Sequence, residues 1–247
     1  MSDSSGIIPT FGIKPGTVIG GYQIKRAIGR GYEAECYLAS EIPTGVRRAI
    51  KIYPIEEMED LERVRHMAWF FEQLADTGSV ARYFHFHTGY LPTNGKPAAM
   101  LVMEHIRGPT LEQYVRTIKG RQHQREVHYL QLLASIAEKV GWVHRIGYAI
   151  GDFENPLNTI VRPTGEPIFC DLEPGEAGNA NTDFENDLEE LLSLFDFIFS
   201  TRNRRQLYDE GKAIIETALD RPIRRDTMAR ISKKLSALAD AQYEERP

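Results

Sequence analysis

Asp152, Asn158 and Asp171 stand at the ends of short apolar runs. Asp152 closes Val143-His144-Arg145-Ile146-Gly147-Tyr148-Ala149-Ile150-Gly151-Asp152, Asn158 opens Asn158-Thr159-Ile160-Val161, and Asp171 sits inside Cys170-Asp171-Leu172-Glu173. These residue types suit phosphoryl transfer, a reaction that leaves a protein little covalent chemistry to perform. It needs one carboxylate beside the attacking hydroxyl and an Asn/Asp pair for the magnesium that bridges the phosphates. Taken singly, Asp152 also reads as a turn aspartate after glycine, and Asn158 as a turn or cap residue. The three together favour the chemistry.

A phosphate cradle should then exist elsewhere in the chain. Gly29-Arg30-Gly31 lies between two strand-like runs, where glycines let the backbone approach phosphates and take positive φ. Two glycines in a hairpin are a weak signal alone. A stronger one is Ala49-Ile50-Lys51, which ends an apolar strand run with a lysine. A partly buried ammonium there is costly unless an anion meets it. The alternative is a strand-edge lysine that snorkels to water, and the glycine hairpin in front of it favours the anion.

The elements that must position these groups are of two kinds. Tyr22–Ile52 holds three short β-runs separated by turn residues, and Arg82–Phe86 and Ala98–Met103 read as two more. Between them, Glu56–Ala75 has Leu61, Val64, Ala68, Phe71 and Ala75 near helical spacing. After Gly108-Pro109 the chain turns helical. Thr110 caps one helix, Val127–His144 carries Leu130, Leu133, Ala134, Ala137, Val140 and Val143 on one face, and Asn186–Phe199 is apolar. The expected fold class is α+β: a five-stranded antiparallel sheet with one helix, then a mainly helical half.

Bulk properties bound the function. The chain has 247 residues, 42% apolar and 26% charged, with a formal net charge of −5, which argues against general affinity for nucleic acid or anionic membrane. Cys36 and Cys170 are the two cysteines, far apart, and read as buried thiols in a reducing cytosol. No run approaches the ~20 apolar residues of a membrane span. Residues 1–20 read as a flexible leader, and its Ser-rich start is compatible with a secretion signal of a bacterial effector as well as with a cytoplasmic protein.

The run from Ile28-Gly29-Arg30-Gly31 to Ala49-Ile50-Lys51 resembles the glycine-rich loop and third strand of the protein-kinase superfamily, closest in flavour to bacterial Ser/Thr kinases. Leu101-Val102-Met103-Glu104-His105-Ile106-Arg107-Gly108 resembles the hinge of that family. The resemblance covers roughly residues 21–199. It implies a two-lobed fold, with residues 21–105 as N-lobe and 106–247 as C-lobe, and it implies ATP and Mg2+ as cofactors. By the same resemblance Gly29, Gly31, Ala49 and Lys51 cradle the nucleotide, Met103 is the gatekeeper, and the backbone of Glu104 and Ile106 pairs with adenine. Asp152 takes the place of the catalytic base, and Asn158 and Asp171 those of the metal ligands.

The departures from that pattern narrow the reading. Ile150-Gly151 replaces the usual His-Arg before the base, which removes the arginine that reads activation-loop phosphorylation. One extra residue separates Asp152 from Asn158, and Glu154 stands where a lysine is common. Ala34 replaces the third glycine, and Asp171-Leu172-Glu173 replaces Asp-Phe-Gly. About 16 residues separate Asp171 from Asp187, the expected start of the next helix, too few for a long activation segment. Bacterial effector kinases, lipopolysaccharide-core kinases and tRNA-modification-associated kinases share this compactness. The register of the resemblance puts the helix partner of Lys51 near Met67 or Ala68, neither acidic, so the expected carboxylate is Glu72, with Glu62 as the alternative, or the lysine is held differently. His85 and His87 read as strand-surface residues, the basic clusters Arg202–Arg205 and Arg221–Arg225 as solvated faces, and Ser193 as a packing residue.

The resulting expectation is a compact, constitutively active Ser/Thr protein kinase using Mg-ATP and a hydroxyl-bearing acceptor, with no nucleic-acid partner and no membrane span. The alternatives are a small-molecule or glycan kinase of the same fold, and a nucleotide-binding pseudokinase. The acceptor and the oligomeric state are not specified by these residues.

Overall fold

Apolar residues two apart in the first half of the chain line up on one face of an antiparallel sheet. The computed structural model describes residues 10–172, 180–200 and 206–244. The strands are β1 (Val18–Ile19), β2 (Tyr22–Arg30), β3 (Glu35–Glu41), β4 (Arg47–Pro54), β5 (Tyr83–Tyr90) and β6 (Pro97–Glu104), in the order β1-β2-β3-β4-β6-β5. Ile24, Tyr37, Ala39, Ile50, Ile52, Met100 and Val102 form one buried cluster, as period-two alternation requires. On the opposite face, the Tyr53 hydroxyl donates to Met67 Sδ at 3.7 Å, which seats helix α1 (Met58–Leu74) there. Val64, Met67, Ala68, Phe71 and Leu74 are its buried face.

The sheet has six strands, not the expected five. The additional strand, β1, is two residues long and pairs Val18 with Gln23 and Ile19 with Tyr22. A strand that short carries no alternation to read. It exists because Gly20 and Gly21 adopt φ of 55° and 87° and reverse the chain. Residues 10–20, which the sequence places in a flexible leader, pack on this unit. Ile13 and Ile19 enter its core, and the buried Glu35 carboxylate accepts from Thr10 Oγ1 at 3.1 Å and from the Phe11 N–H at 2.9 Å. The Tyr37 hydroxyl donates to the same carboxylate, and burial pushes that phenol far above its ordinary range. A buried carboxylate needs donors, and this segment brings two of them.

By backbone proximity the chain divides into two compact units. One comprises the described residues up to Ala75 with Ala81–Ile106, and the other comprises Asp76–Val80 and the chain from Arg107 onward. The second unit is built on α3 (Gln122–Arg145), whose Leu130, Leu133, Ala137, Val140 and Val143 are buried. Around it lie α2 (Leu111–Thr117), α4 (Ala180–Ser200), α5 (Gln206–Leu219), α6 (Thr227–Glu244) and a hairpin of β7 (Thr159–Val161) and β8 (Pro167–Phe169). Thr110 caps α2 by accepting from the Gln113 N–H at 3.3 Å. Gly141 lets α3 meet α6 closely, since a Cβ there would lie 3.1 Å from the Ala229 nitrogen. Helix α4 begins at Ala180, well before the expected start, so Asp187 lies inside the helix.

Lys139 of α3 is buried and paired with Glu166 of the hairpin turn, and its Nζ donates to the Gly78 carbonyl at 2.7 Å. Ser79 Oγ donates to the Lys139 carbonyl at 2.9 Å, and the Phe169 N–H donates to the Ser79 carbonyl at 3.0 Å. The 76–80 segment is thereby tied to both α3 and the hairpin. His85 and His87 share a strand face with ring centroids 6.3 Å apart. Ser193 is exposed on α4, not packed. Cys36 and Cys170 are thiols, half-buried instead of buried. Among the described residues no helix is long and apolar enough to cross a membrane. Arg202–Arg205 and Glu173 lie outside the described residues.

Candidate functional site

In the first unit the glycines and the lysine occupy one hairpin system. The Gly31 N–H donates to the Ala34 carbonyl at 3.0 Å and closes the β2–β3 tip. Neither Gly29 nor Gly31 has a positive φ, contrary to the conformational reason expected for them. Space does not demand glycine either. A Cβ on Gly31 would meet nothing within 4 Å, and one on Gly29 would touch only the Cys36 Cβ at 3.9 Å. Both positions therefore leave bare backbone that the fold itself does not require. Glu33 at the tip pairs with Arg63 of α1, tethering the hairpin to the helix.

Lys51 lies in mid-β4, opposite Cys36 on β3 and Leu101 on β6. Its Nζ is 5.2 Å from the Tyr53 ring centroid, on the face that carries α1. Ala49 pairs with Leu38 and Met103. Glu62 and Glu72 both lie on the exposed side of α1. Glu62 bonds to Arg65, and the negative charge of Glu72 acts on Tyr83, whose phenol is raised chiefly by burial. The Glu104 N–H donates to the Arg82 carbonyl at 2.8 Å.

In the second unit the loop between α3 and β7 carries the candidate base. Asp152 has φ of 57°, alone among described non-glycine residues in being positive, and follows Gly151 at 65°. L-residues avoid this region unless the surroundings impose it. The imposing groups are two carboxylates of α4. Asp187 accepts from the Ile150 N–H (Oδ2, 2.9 Å) and the Gly151 N–H (Oδ1, 2.9 Å), and also bonds His144 Nε2 at 2.7 Å. Glu190 accepts from Asp152 (Oε1, 2.9 Å), Phe153 (Oε2, 2.9 Å) and Glu154 (Oε2, 3.4 Å). Five consecutive amides, 150 through 154, are thus received by two side chains one helical turn apart. Burial, with the nearby Asp187 charge, pushes the Glu190 carboxyl up to about 7 despite the three donors that oppose it.

Asn158 is buried and donates Nδ2–H to the Asp152 carbonyl at 2.9 Å and to Asp152 Oδ2 at 2.7 Å. That orientation leaves Oδ1, a hard oxygen donor suited to magnesium, as the atom the amide can offer. The β7–β8 register pairs Thr159 with Phe169. Cys170 then faces Asn158, its N–H and Sγ–H donating to the Asn158 carbonyl at 2.8 and 3.1 Å. Asp171 comes next along the chain, half-buried, and the Leu172 side chain after it is buried. The structure therefore joins Asp152 to Asn158 directly, and the hairpin sets Cys170, the residue before Asp171, against the Asn158 carbonyl. Gly29, Gly31, Ala49, Lys51, Glu104 and Ile106 belong to the other unit. Among the described residues no group of three or more His, Cys, Asp and Glu side chains forms a metal site.

The sequence did not single out Asp187 and Glu190 as the groups that hold this loop. The signal present was their spacing of three, which puts two acids on one side of a helix beside the buried Phe184, Leu188 and Leu191.

The chain is similar to a bacterial protein kinase. It is 30% identical over 165 residues to the serine/threonine-protein kinase PrkC of Bacillus subtilis (strain 168), a match covering 67% of this chain and 24% of that protein. The matched part thus spans about a quarter of the relative's length. No family model matches the chain. The likeness supports a protein-kinase-like relationship, in keeping with an α+β structure that has an antiparallel sheet and, among the described residues, six α-helices.

Proposed function

We propose that the chain is a Mg-ATP-dependent phosphotransferase of protein-kinase type whose acceptor is a Ser or Thr hydroxyl of a protein. The observation that carries this reading is the loop at Asp152. Its carboxylate is exposed, its backbone is held in a conformation it would not choose, and it is bonded to an asparagine whose oxygen is left to offer a cation. Such a construction is costly for a turn residue and is apt for a group that must point one way. The similarity to a serine/threonine-protein kinase supports the choice of acceptor.

In this reading residues 21–105 and 106–247 are the two lobes, with residues 1–20 ahead of them, and the protein acts in the cytoplasm. Lys51 binds the α- and β-phosphates, next to backbone that Gly29 and Gly31 keep bare, and the Glu104–Ile106 backbone meets the adenine. Asp152 orients the acceptor hydroxyl and takes its proton as the oxygen attacks the γ-phosphorus, whose bond to the bridging β-phosphate oxygen breaks so that ADP leaves. Asn158 and Asp171 hold magnesium, which when bound neutralises charge on the phosphates. With Gly151 before the base and about 16 residues from Asp171 to Asp187, activity is not gated by activation-loop phosphorylation.

The same two features favour a second reading, a kinase for a small hydroxyl compound. Incubation with γ-labelled ATP and magnesium separates the readings. Label on protein, lost in Asp171→Ala, is the expected result. Turnover only with added sugars or metabolites transfers the reading to the second. ATP-dependent thermal stabilisation without turnover would identify a nucleotide-binding pseudokinase and refute both.

A further inference from the structure

We infer that Glu190 is a positioning residue for phosphoryl transfer, setting the direction of the Asp152 carboxylate by gathering the amides of Asp152, Phe153 and Glu154. The inference rests on the proposed role of Asp152 as base. A turn through the left-handed region is one way to aim consecutive N–H groups at a single acceptor, and Asp152, with φ of 57°, makes that turn. Glu190 supplies the point, with one oxygen on the Asp152 N–H and the other shared by the next two. Downstream, Phe153 is fully buried, its ring 5.7 Å from that of Phe169, so the loop cannot rotate as a body. Upstream, Asp187 fixes Ile150 and Gly151. The torsions of Asp152 itself are what Glu190 adds, and they decide whether Oδ2 meets Asn158 Nδ2.

The two acids of α4 differ in kind. Asp187 is deeply buried and bonded to His144, so it belongs to the packing of the unit. Glu190 is only half-buried, next to the loop that carries the candidate base. The titratable groups around it are Asp187 on its own helix, His144 bonded to Asp187, and Asp152 and Glu154 of the loop. Its carboxyl is raised to about 7 by burial. The full set of three bonds belongs to the carboxylate form, since a protonated oxygen accepts poorly.

The test compares wild type, Glu190→Gln, Asp152→Asn and the double variant, with kcat, the KM for ATP and the pH profile read together. A glutamine keeps one accepting oxygen and turns an NH2 against a backbone N–H. The expected result for Glu190→Gln is a loss in kcat of about 10- to 100-fold, as for a small misplacement of a catalytic group, with the KM for ATP within about threefold. In the Asp152→Asn background the same change should cost nothing further, because a residue acting through Asp152 has nothing left to position. Wild-type kcat should rise with pH through about 7, and this limb should vanish in Glu190→Gln. Unchanged kcat in Glu190→Gln, or equal losses in both backgrounds, overturns the inference while leaving the proposed activity standing. A wild-type chain that transfers no phosphoryl group refutes both. Should Glu190→Gln not fold, the amide resonances of Asp152, Phe153 and Glu154 in wild type decide, since all three must titrate together near pH 7 and a flat response refutes the clamp.

Discussion

Removing the carboxylate of Asp187 should cost more stability than any conservative change in the loop it holds. The side chain is 1% exposed and accepts three hydrogen bonds of 2.7–2.9 Å, from His144 Nε2, Ile150 N and Gly151 N. In Asp187→Ala the buried His144 and Ile150 donors and the part-buried Gly151 donor lose their acceptor, at about 1–3 kcal/mol per buried group and less for Gly151. Against this stands the relief of removing a buried charge, so the net expectation is about 3–5 kcal/mol. Asp187→Asn is the informative comparison. Oδ2 serves His144 and Ile150 while Oδ1 serves Gly151 alone, so the amide will seat its oxygen at the doubly used position and turn NH2 toward Gly151. One bond is lost and the expected cost is about 2 kcal/mol. A tautomer change in His144 offers no escape, because its buried Nδ1 meets no partner among the described residues and a proton moved there would be orphaned. Urea unfolding followed by Trp142 fluorescence would measure both losses, and amide exchange at Ile150 and Gly151 would localise them. Equal losses in the two variants, or less than about 1 kcal/mol for Asp187→Ala, would show that the loop is held by something else.

Other outcomes follow from the same geometry. Gly31→Ala places a methyl in open space at a backbone angle alanine accepts, so urea unfolding should move by no more than about 0.5 kcal/mol. The KM for ATP should nevertheless rise, and an unchanged KM would remove the phosphate role from that hairpin. Gly108→Ala should cost at least about 3 kcal/mol or prevent folding, because φ is 152° and the new Cβ would lie 1.9 Å from the Val161 carbonyl oxygen; a stable variant would mean the β7 edge gives way easily. Glu190 binds its proton more tightly folded, at about 7, than unfolded, at 4.5. Its stabilising contribution is therefore complete below about pH 4.5 and is lost as pH rises through 7. For a half-buried group screened by solvent the loss is on the order of 1 kcal/mol, seen as a slope in wild type that Glu190→Gln lacks.

Periodicity made the larger elements legible before any coordinates. Ile50 and Ile52, or Met100 and Val102, alternate because one face of the sheet is buried, and Leu130 to Val143 recur because one side of α3 is. The two-residue β1 and the docking of residues 10–20 were not legible, since both depend on partners distant in the chain, Gln23 and Tyr22 for one and Glu35 for the other. The sequence points to a start of α4 near Asn186 because residues 180–186 are mostly polar and look like loop. Asp187 and Glu190 were hidden by ordinary composition, since an acid on a helix beside other acids reads as a solvated face. Their role follows from the loop brought against them, and no local pattern encodes that. The glycines show the converse: the sequence points to positive φ at Gly29 and Gly31, where the structure has none, while the loop of the candidate base has it at Gly151 and Asp152.

The five amides of residues 150–154 find their acceptors 36–38 positions further along the chain. During synthesis, Asp152, Asn158 and Asp171 therefore leave the ribosome before the helix that shapes their loop. A nascent chain stopped short of α4 would hold every candidate catalytic and metal-binding residue and still lack the left-handed turn at Asp152. If the proposed activity holds, it waits on one late long-range docking event, and a folding defect in α4 would be seen first as a lost turn at Asp152 and only afterwards as lost solubility.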